Sequence, residues 1–315
     1  MRRRRFFAWG LGLAACATGC GTERFAGSAA GPRARFSINP QGRRWTRVGQ
    51  AFAGAARAAG YETGGGTRIT VTGLPALAAA ELNNGQTLLD TATPLSRLSG
   101  EVEVVVVPAT SPFKDFEDFG AHLLARPGQT RLAGGPEGEP DHLLFGLIAR
   151  GLGVDTRQLA YTGYLSSQEA VTELLSGKAA AAAGPLADWR ASIKAGRVRA
   201  LAVSSARRVP GLDAPTLLES GVRVDFADWS AAFGPENMPD EIRETAVRMC
   251  EDVTGSADWE AACRSEGWIS IPLGGDDFKL WLGSEVERTR AVLRDLGLVD
   301  TTKATTCWGS CGNGH

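Results

Sequence analysis

Residues 129–151, QTRLAGGPEGEPDHLLFGLIARG, decide the fold class. QTRLAGG reads as a short strand closed by glycines, and DHLLFGLIARG places apolar residues at helical spacing. Between them Gly134, Gly135 and Gly138 make a loop that feeds directly into the helix. Such a strand–loop–helix is half of a βα unit. Its helix start offers unpaired N–H groups and the positive end of the helix dipole, the usual cradle for an anion. Yet the loop carries Glu137, Glu139 and Asp141 and no Lys or Arg. Asp141 is placed to cap the helix.

The same alternation continues on both sides. RFSINP and GTRITVTG read as strands around the helix TRVGQAFAGAARAAG, with LPALAAAELNNG a further short helix. VEVVVVPA (102–109) is apolar almost throughout, which predicts a strand buried on both faces, as in a parallel sheet. After the opening stretch come the strand TRQLAYTGY and the helix SQEAVTELLSG, which starts on a Ser166-x-x-Glu169 capping box. KAAAAAG, PLADWRASIKAG and RVRALAVSS give strand, helix and strand. Beyond FADWSAAFGPENMP the pattern is mostly helical. The alternation predicts an α/β fold.

The N-terminus has a separate character. MRRRRFF is basic and FFAWGLGLAA is apolar but too short to span a bilayer, the pattern of an export signal. Leu13-Ala14-Ala15-Cys16 fits a lipobox, making Cys16 the expected lipidation site, with Cys20 a second candidate. The arginine run also resembles a twin-arginine export pattern. Residues 1–22 are therefore read as the signal region and 23–34 as a tether. The product would be an extracytoplasmic, membrane-anchored protein.

The formal net charge is −1; without Arg2 to Arg5 there remain 30 basic against 35 acidic residues, a balance of about −5. No basic stripe with interleaved aromatics is left, which argues against nucleic-acid binding. Catalytic constellations are missing too. The only histidines are His122, His142 and His315, and neither G-x-S-x-G nor H-E-x-x-H occurs. Cys250 and Cys263 lie in successive helices and could pair as a disulfide or sit as two small buried residues. Cys307 and Cys311 in the tail (300–315) suit a small disulfide loop or a disordered tail; no metal site or cofactor is expected. Binding is the better class of reading. Ligands of open α/β sheets gather where loops leave the carboxyl ends of strands, here near residues 39–42, 134–142, 164–167 and 183–185.

From Arg97 to Leu298 the chain resembles the substrate-binding receptors of tripartite tricarboxylate transporters, the TctC or Bug family. The matching stretches are PLSRLSGEVEVVVVPATSPFKDFEDF, GGPEGEPDHLLFGLIARGLGVD, IKAGRVRALAVSSARRVPGLDAPTLLESGV and the ending VLRDLGL. The resemblance implies a two-lobed, type II periplasmic-binding-protein-like fold with two crossovers. Residues 35–111 plus 223–299 would form one lobe, with a shortened N-terminal part, and 112–222 the other. It further implies a non-enzymatic receptor that captures a small carboxylate or amino acid and hands it to membrane permease subunits. The family's glycine-rich first loop is replaced here by Gln41-Gly42-Arg43-Arg44-Trp45-Thr46. The expected ligand-binding residues are Arg43, Arg44 and Trp45 from one lobe. From the other they are Gly134, Gly135, Glu137, His142, Tyr164, Ser166, Ser167 and Gly184. The unusual acids and the unusual arginines are expected to face each other across the cleft, or to grip opposite ends of a zwitterion. A receptor-like module that has lost ligand capture and serves as a sensor or partner protein is the alternative. A hydrolase built on Ser166 or Ser167 with His142 is a third.

Overall fold

The computed structural model describes residues 35–299. Cys16, Cys20, the tether, Cys307, Cys311 and His315 lie outside them. In chain order the first part contains β1 (Arg35–Pro40), α1 (Thr46–Ala58), β2 (Glu62–Gly73), α2 (Leu74–Leu82), α3 (Leu88–Thr91) and β3 (Ala92–Glu101). A second series follows: β4 (Glu103–Pro108), α4 (Phe116–Ala125), β5 (Arg131–Gly134), α5 (Pro140–Leu152), β6 (Ala160–Gly163), α6 (Ser167–Leu175), β7 (Ala181–Pro185), α7 (Leu186–Lys194) and β8 (Val198–Val203). The chain then returns through β9 (Asp228–Pro235), α8 (Asp240–Thr254), α9 (Ala257–Glu266), β10 (Trp268–Gly274) and α10 (Gly275–Asp295).

These strands form two five-stranded sheets, ordered β1-β2-β9-β3-β10 and β6-β5-β7-β4-β8. Each sheet is the core of one lobe, and the chain crosses between them twice. The first crossing is the single residue Val102. Glu101 on its near side pairs with Asp228 and Trp268 in the first sheet, while Glu103 pairs with Pro185 in the second. The VEVVVVPA strand therefore belongs to the second lobe, not to the 35–111 segment expected. The return crossing is at Ala227. Ser204 fastens the two together: its hydroxyl accepts from the Glu103 N–H at 2.9 Å and donates to the Phe226 carbonyl at 2.7 Å.

Burial explains why β4 is so apolar. Val105 and Val107 enter one hydrophobic cluster, and Val104 and Val106 another on the opposite face. The pairing differs from expectation, however. β4 is antiparallel to both β7 and β8, because it enters from the hinge against the direction of the βα strands. Among the described residues, parallel pairing between strands joins β1 with β2 and β5 with β6 and β7, and one isolated parallel bridge ties Val203 of β8 to Thr216.

The end of α10 leaves the first lobe and packs on α5 of the second, where Val292 and Leu296 lie over Gly146. Cys250 and Cys263 are both free thiols inside the first lobe's core cluster, beside Phe52 and Trp259. Of the two readings the sequence leaves open, the structure takes the second: they are two small buried residues in apolar packing and form no disulfide. Burial pushes the Cys263 thiol up to about 11 and the Cys250 thiol higher still. Among the described residues no helix is long and apolar enough to cross a membrane.

Candidate functional site

The two lobes meet at Arg44. It sits in a 3-10 turn (Arg43–Trp45) just past the carboxyl end of β1, a position set by Gly42 at φ 88°. One guanidinium nitrogen donates to Glu139 Oε2 of the second lobe at 2.8 Å, and the other to Asp228 Oδ2 at the hinge, also at 2.8 Å. Burial works against the charge, but these two carboxylates more than offset it and hold Arg44 firmly protonated. The expected facing of arginine and acid across the cleft is thus present, between Arg44 and Glu139.

Behind that pair lie more acids. Glu101 and Glu103 come from either side of the first crossing, Asp228 from the return crossing and Asp141 from α5. Burial pushes the Glu101 carboxyl up to about 7, although the Trp268 indole donates to it at 3.1 Å. Burial likewise raises Asp141 to about 6, opposed by the Gly135 N–H and by Arg44, and raises Asp228 against the pull of Arg44. Glu103 is fully buried, and its carboxyl meets that of Asp141, with no N–H donor on either oxygen. Burial, followed by the Asp141 carboxyl that it faces, drives its pKa well upward. Two carboxyls so placed cannot both ionise, so the pair holds a proton.

The glycine loop closes on itself. The Gly135 N–H donates to Asp141 Oδ2 at 2.5 Å, and Tyr161 Oη donates to the Gly135 carbonyl at 2.6 Å. Asp141 is not the helix cap that its place in the sequence suggests. Glu139 holds the N-cap position of α5 without a side-chain cap bond. Pro140 takes the first helical position, which moves Asp141 one step inward and turns its carboxylate back onto the loop. Gly138 adopts a left-handed φ of 80°, and a Cβ there would come within 2.6 Å of Leu82 from the other lobe. Only glycine meets both conditions.

The remaining expected residues divide clearly. Gly134 and Gly184 line the Asp141 carboxylate, which a Cβ on either would approach to 3.1 and 3.5 Å. Arg43 and Glu137 are exposed at the rim. Trp45 is buried in the first-lobe core with Phe36, Val48 and Phe52, not in the cleft. His142 turns inward: Nδ1 accepts the Gly138 N–H at 3.1 Å, and the ring stacks on Tyr161 at 4.0 Å. Burial lowers its pKa to about 4, so it is a neutral brace for the loop, and its Nδ1 is already engaged as an acceptor. Tyr164 packs on the outer cluster of the second lobe. Ser166 caps α6, accepting from the Glu169 N–H at 3.3 Å, while Glu169 reaches back to the Leu165 N–H; Ser167 opens the helix.

Sequence reasoning missed Glu101, Glu103, Asp228 and Trp189, whose buried indole N–H has no partner and lies against Gly184. The available signal was two glutamates beside the most apolar strand of the chain, in GEVEVVVV.

Residues 60–264 match the model of the tripartite tricarboxylate transporter family receptor. A UPF0065 protein from the tcbD–tcbE intergenic region of a Pseudomonas species is 32% identical over 144 residues, 45% of this chain and 42% of that protein. Protein BugT of Bordetella pertussis is 27% identical over 215 residues, 67% of this chain and 64% of BugT. The chain thus spans less than two thirds of either curated relative. Among solved structures, a TctC solute-binding protein from Polaromonas superposes with a TM-score of 0.68 at 19% identity, covering 84% of this chain and 98% of that one. Two from Rhodopseudomonas palustris are similar in fold at 18% identity. One holds adipate (TM-score 0.64, covering 84% and 97%), and MatC holds malate (0.59, covering 85% and 98%). With two sheets joined at two crossings and a family match over most of its length, this chain belongs to the tripartite tricarboxylate transporter receptor family.

Proposed function

We propose that the protein is an extracytoplasmic solute-binding receptor, anchored through Cys16, that closes its lobes on a small carboxylated solute and delivers it to the permease subunits of a tripartite tricarboxylate-type transporter. The observation that carries this reading is Arg44, one side chain bonded at once to the opposite lobe and to the hinge. A side chain in that position couples whatever it binds to lobe closure. Family membership supports the receptor role, and the adipate and malate held by proteins of the same fold support the carboxylate.

The alternative sensor reading draws on the same residue, since Arg44 already satisfies the cleft without a solute. Isothermal calorimetry against mono-, di- and tricarboxylates and amino acids, with small-angle scattering for compaction, tests the proposal. Binding with a fall in radius of gyration is expected. No heat and no compaction at millimolar solute would favour the sensor.

A further inference from the structure

The stretch IKAGRVRALAVSSARR brings charge that the cleft does not use. From Trp189 to Leu212 the chain carries Arg190, Lys194, Arg197, Arg199, Arg207 and Arg208, and no Asp or Glu. The structure sorts these side chains. Arg199 is folded onto the carbonyls of Ala109 and Phe113, and Arg208 is paired with Glu219. Arg197 lies against α7, where it donates to the Ser192 hydroxyl at 2.9 Å. Arg190, Lys194 and Arg207 are exposed, and their side chains make no hydrogen bond or ion pair among the described residues. α7 buries Leu186 and Trp189 in the outer cluster of the second lobe, which leaves Ala187, Arg190, Ala191 and Lys194 in one outward stripe. Between that stripe and the turn at Gly211 and Leu212 lies a groove of about 630 Å³, lined by Leu186, Ile193 and Leu212 and by Arg190 and Lys194.

Composition and charge decide what fits this face. Protein interfaces are anchored by aromatic and large aliphatic side chains. Here Ala187, Ala191 and Gly211 stand between the cations instead. Unneutralised cations over small side chains suit a plane of phosphates, to which each Lys or Arg adds its own attraction. Without Arg2 to Arg5 the chain is net acidic, at about −5, so its field turns this acid-free face toward a negative surface. The 18 residues between Cys16 and Arg35 span at most about 65 Å, which keeps an anchored chain within reach of the bilayer. Resting on the anchored-receptor reading above, we infer that the outward face of α7, with Arg207, docks the second lobe on an anionic phospholipid surface. α7 begins at the hinge, where the Leu186 N–H donates to the Val102 carbonyl at 2.8 Å. Docking therefore holds the second lobe and leaves the first to swing.

Lysines are few enough in this chain to read the contact directly. Full-length protein is floated with vesicles of phosphatidylcholine alone, or of an equimolar mixture with phosphatidylglycerol. Acylation of each lysine by an N-hydroxysuccinimide ester is then followed by mass spectrometry. Lys194 labelling is expected to fall at least about fivefold on the anionic vesicles, the factor one cation near such a surface contributes. Lys114, before α4 on the opposite face of the sheet, and Lys279 on α10 should keep theirs. Salt at about 0.5 M should restore Lys194 labelling. Arg190→Ala/Arg207→Ala, at exposed and unpaired positions, should restore it at low salt with the melting temperature unchanged. Arg126→Ala/Arg157→Ala removes the same charge elsewhere and should leave the protection intact. Equal labelling of Lys194 on both vesicles overturns the inference. So does protection by soluble polyglutamate without protection by vesicles, which would make the face a site for an acidic peptide. Failure to float with neutral vesicles would overturn the anchored reading, while Lys194 on anionic vesicles still decides the docking.

Discussion

His142→Asn separates the brace from the binding groups. In the fold His142 is buried, accepts the Gly138 N–H and is held neutral, with its pKa lowered from 6.5 to about 4 by desolvation. The unfolded chain takes up the proton first, so stability is lost as pH falls from 6.5 toward about 4. At about 1.4 kcal/mol per pK unit the full linkage is about 3 kcal/mol, of which about 2 kcal/mol falls between pH of about 7 and about 4.5. Asn at this position keeps an acceptor near the place of Nδ1 but cannot take up that proton. Urea unfolding of both proteins, followed by tryptophan fluorescence, should show the variant less stable at the higher pH through loss of the stack on Tyr161. Its deficit should shrink by about 2 kcal/mol at the lower pH. The raised carboxyls of Glu101 and Asp141 have the opposite slope, but they are common to both proteins and cancel in the difference. Parallel pH profiles for wild type and variant would refute the assignment of His142 as a buried neutral acceptor.

Glu101→Gln should act with the opposite sign. A carboxyl raised to about 7 by burial favours the fold at low pH and withdraws that contribution as pH rises through about 7. The variant should therefore gain on the wild type by up to about 3 kcal/mol between pH of about 5 and about 8 in the same unfolding assay; equal slopes would exclude it. Gly138→Ala should lower stability by about 1–3 kcal/mol, through both its positive φ and the Leu82 contact. Leu82→Ala should restore only the steric part, as read by melting temperature. Cys250 and Cys263 should resist thiol reagents in the native protein and react once it is unfolded. A melting temperature that falls on adding reductant to a variant with Ser at Cys307 and Cys311 would contradict their free state.

The βα alternation was legible wherever apolar periodicity is strong. β4 with its valines, α5 with its glycine stop and α6 with its Ser166 cap all appear where the pattern puts them, although Glu169 reaches the Leu165 N–H instead of closing the capping box on Ser166. β3, β9 and β10 were not read as strands. They carry Ser96, Ser99, Ser230, Pro94 and Gly234 in place of an apolar run, and antiparallel partners with bulges supply their order. The site shows the same divide. Arg44 opposite the acidic loop could be anticipated because both departures lie in short, exposed motifs. Glu103 and Asp228 could not, because they come together only when the two crossings lie side by side. Trp45 and His142 were misplaced because an aromatic ring or imidazole at a loop reads alike whether it faces ligand or core; only the packing of Phe52 and Tyr161 decides.

The position of the crossings gives the acids a mechanical meaning. Glu101 and Asp228 are anchored to the first sheet, Glu103 and Asp141 to the second, and only Val102 and Ala227 lie between. Closing the protein therefore compresses like charges toward one another, as a spring is loaded, and Arg44 is the catch that holds it. Each proton that leaves this group as pH rises stiffens the spring. A rise in pH should thus favour the open form before any solute is bound.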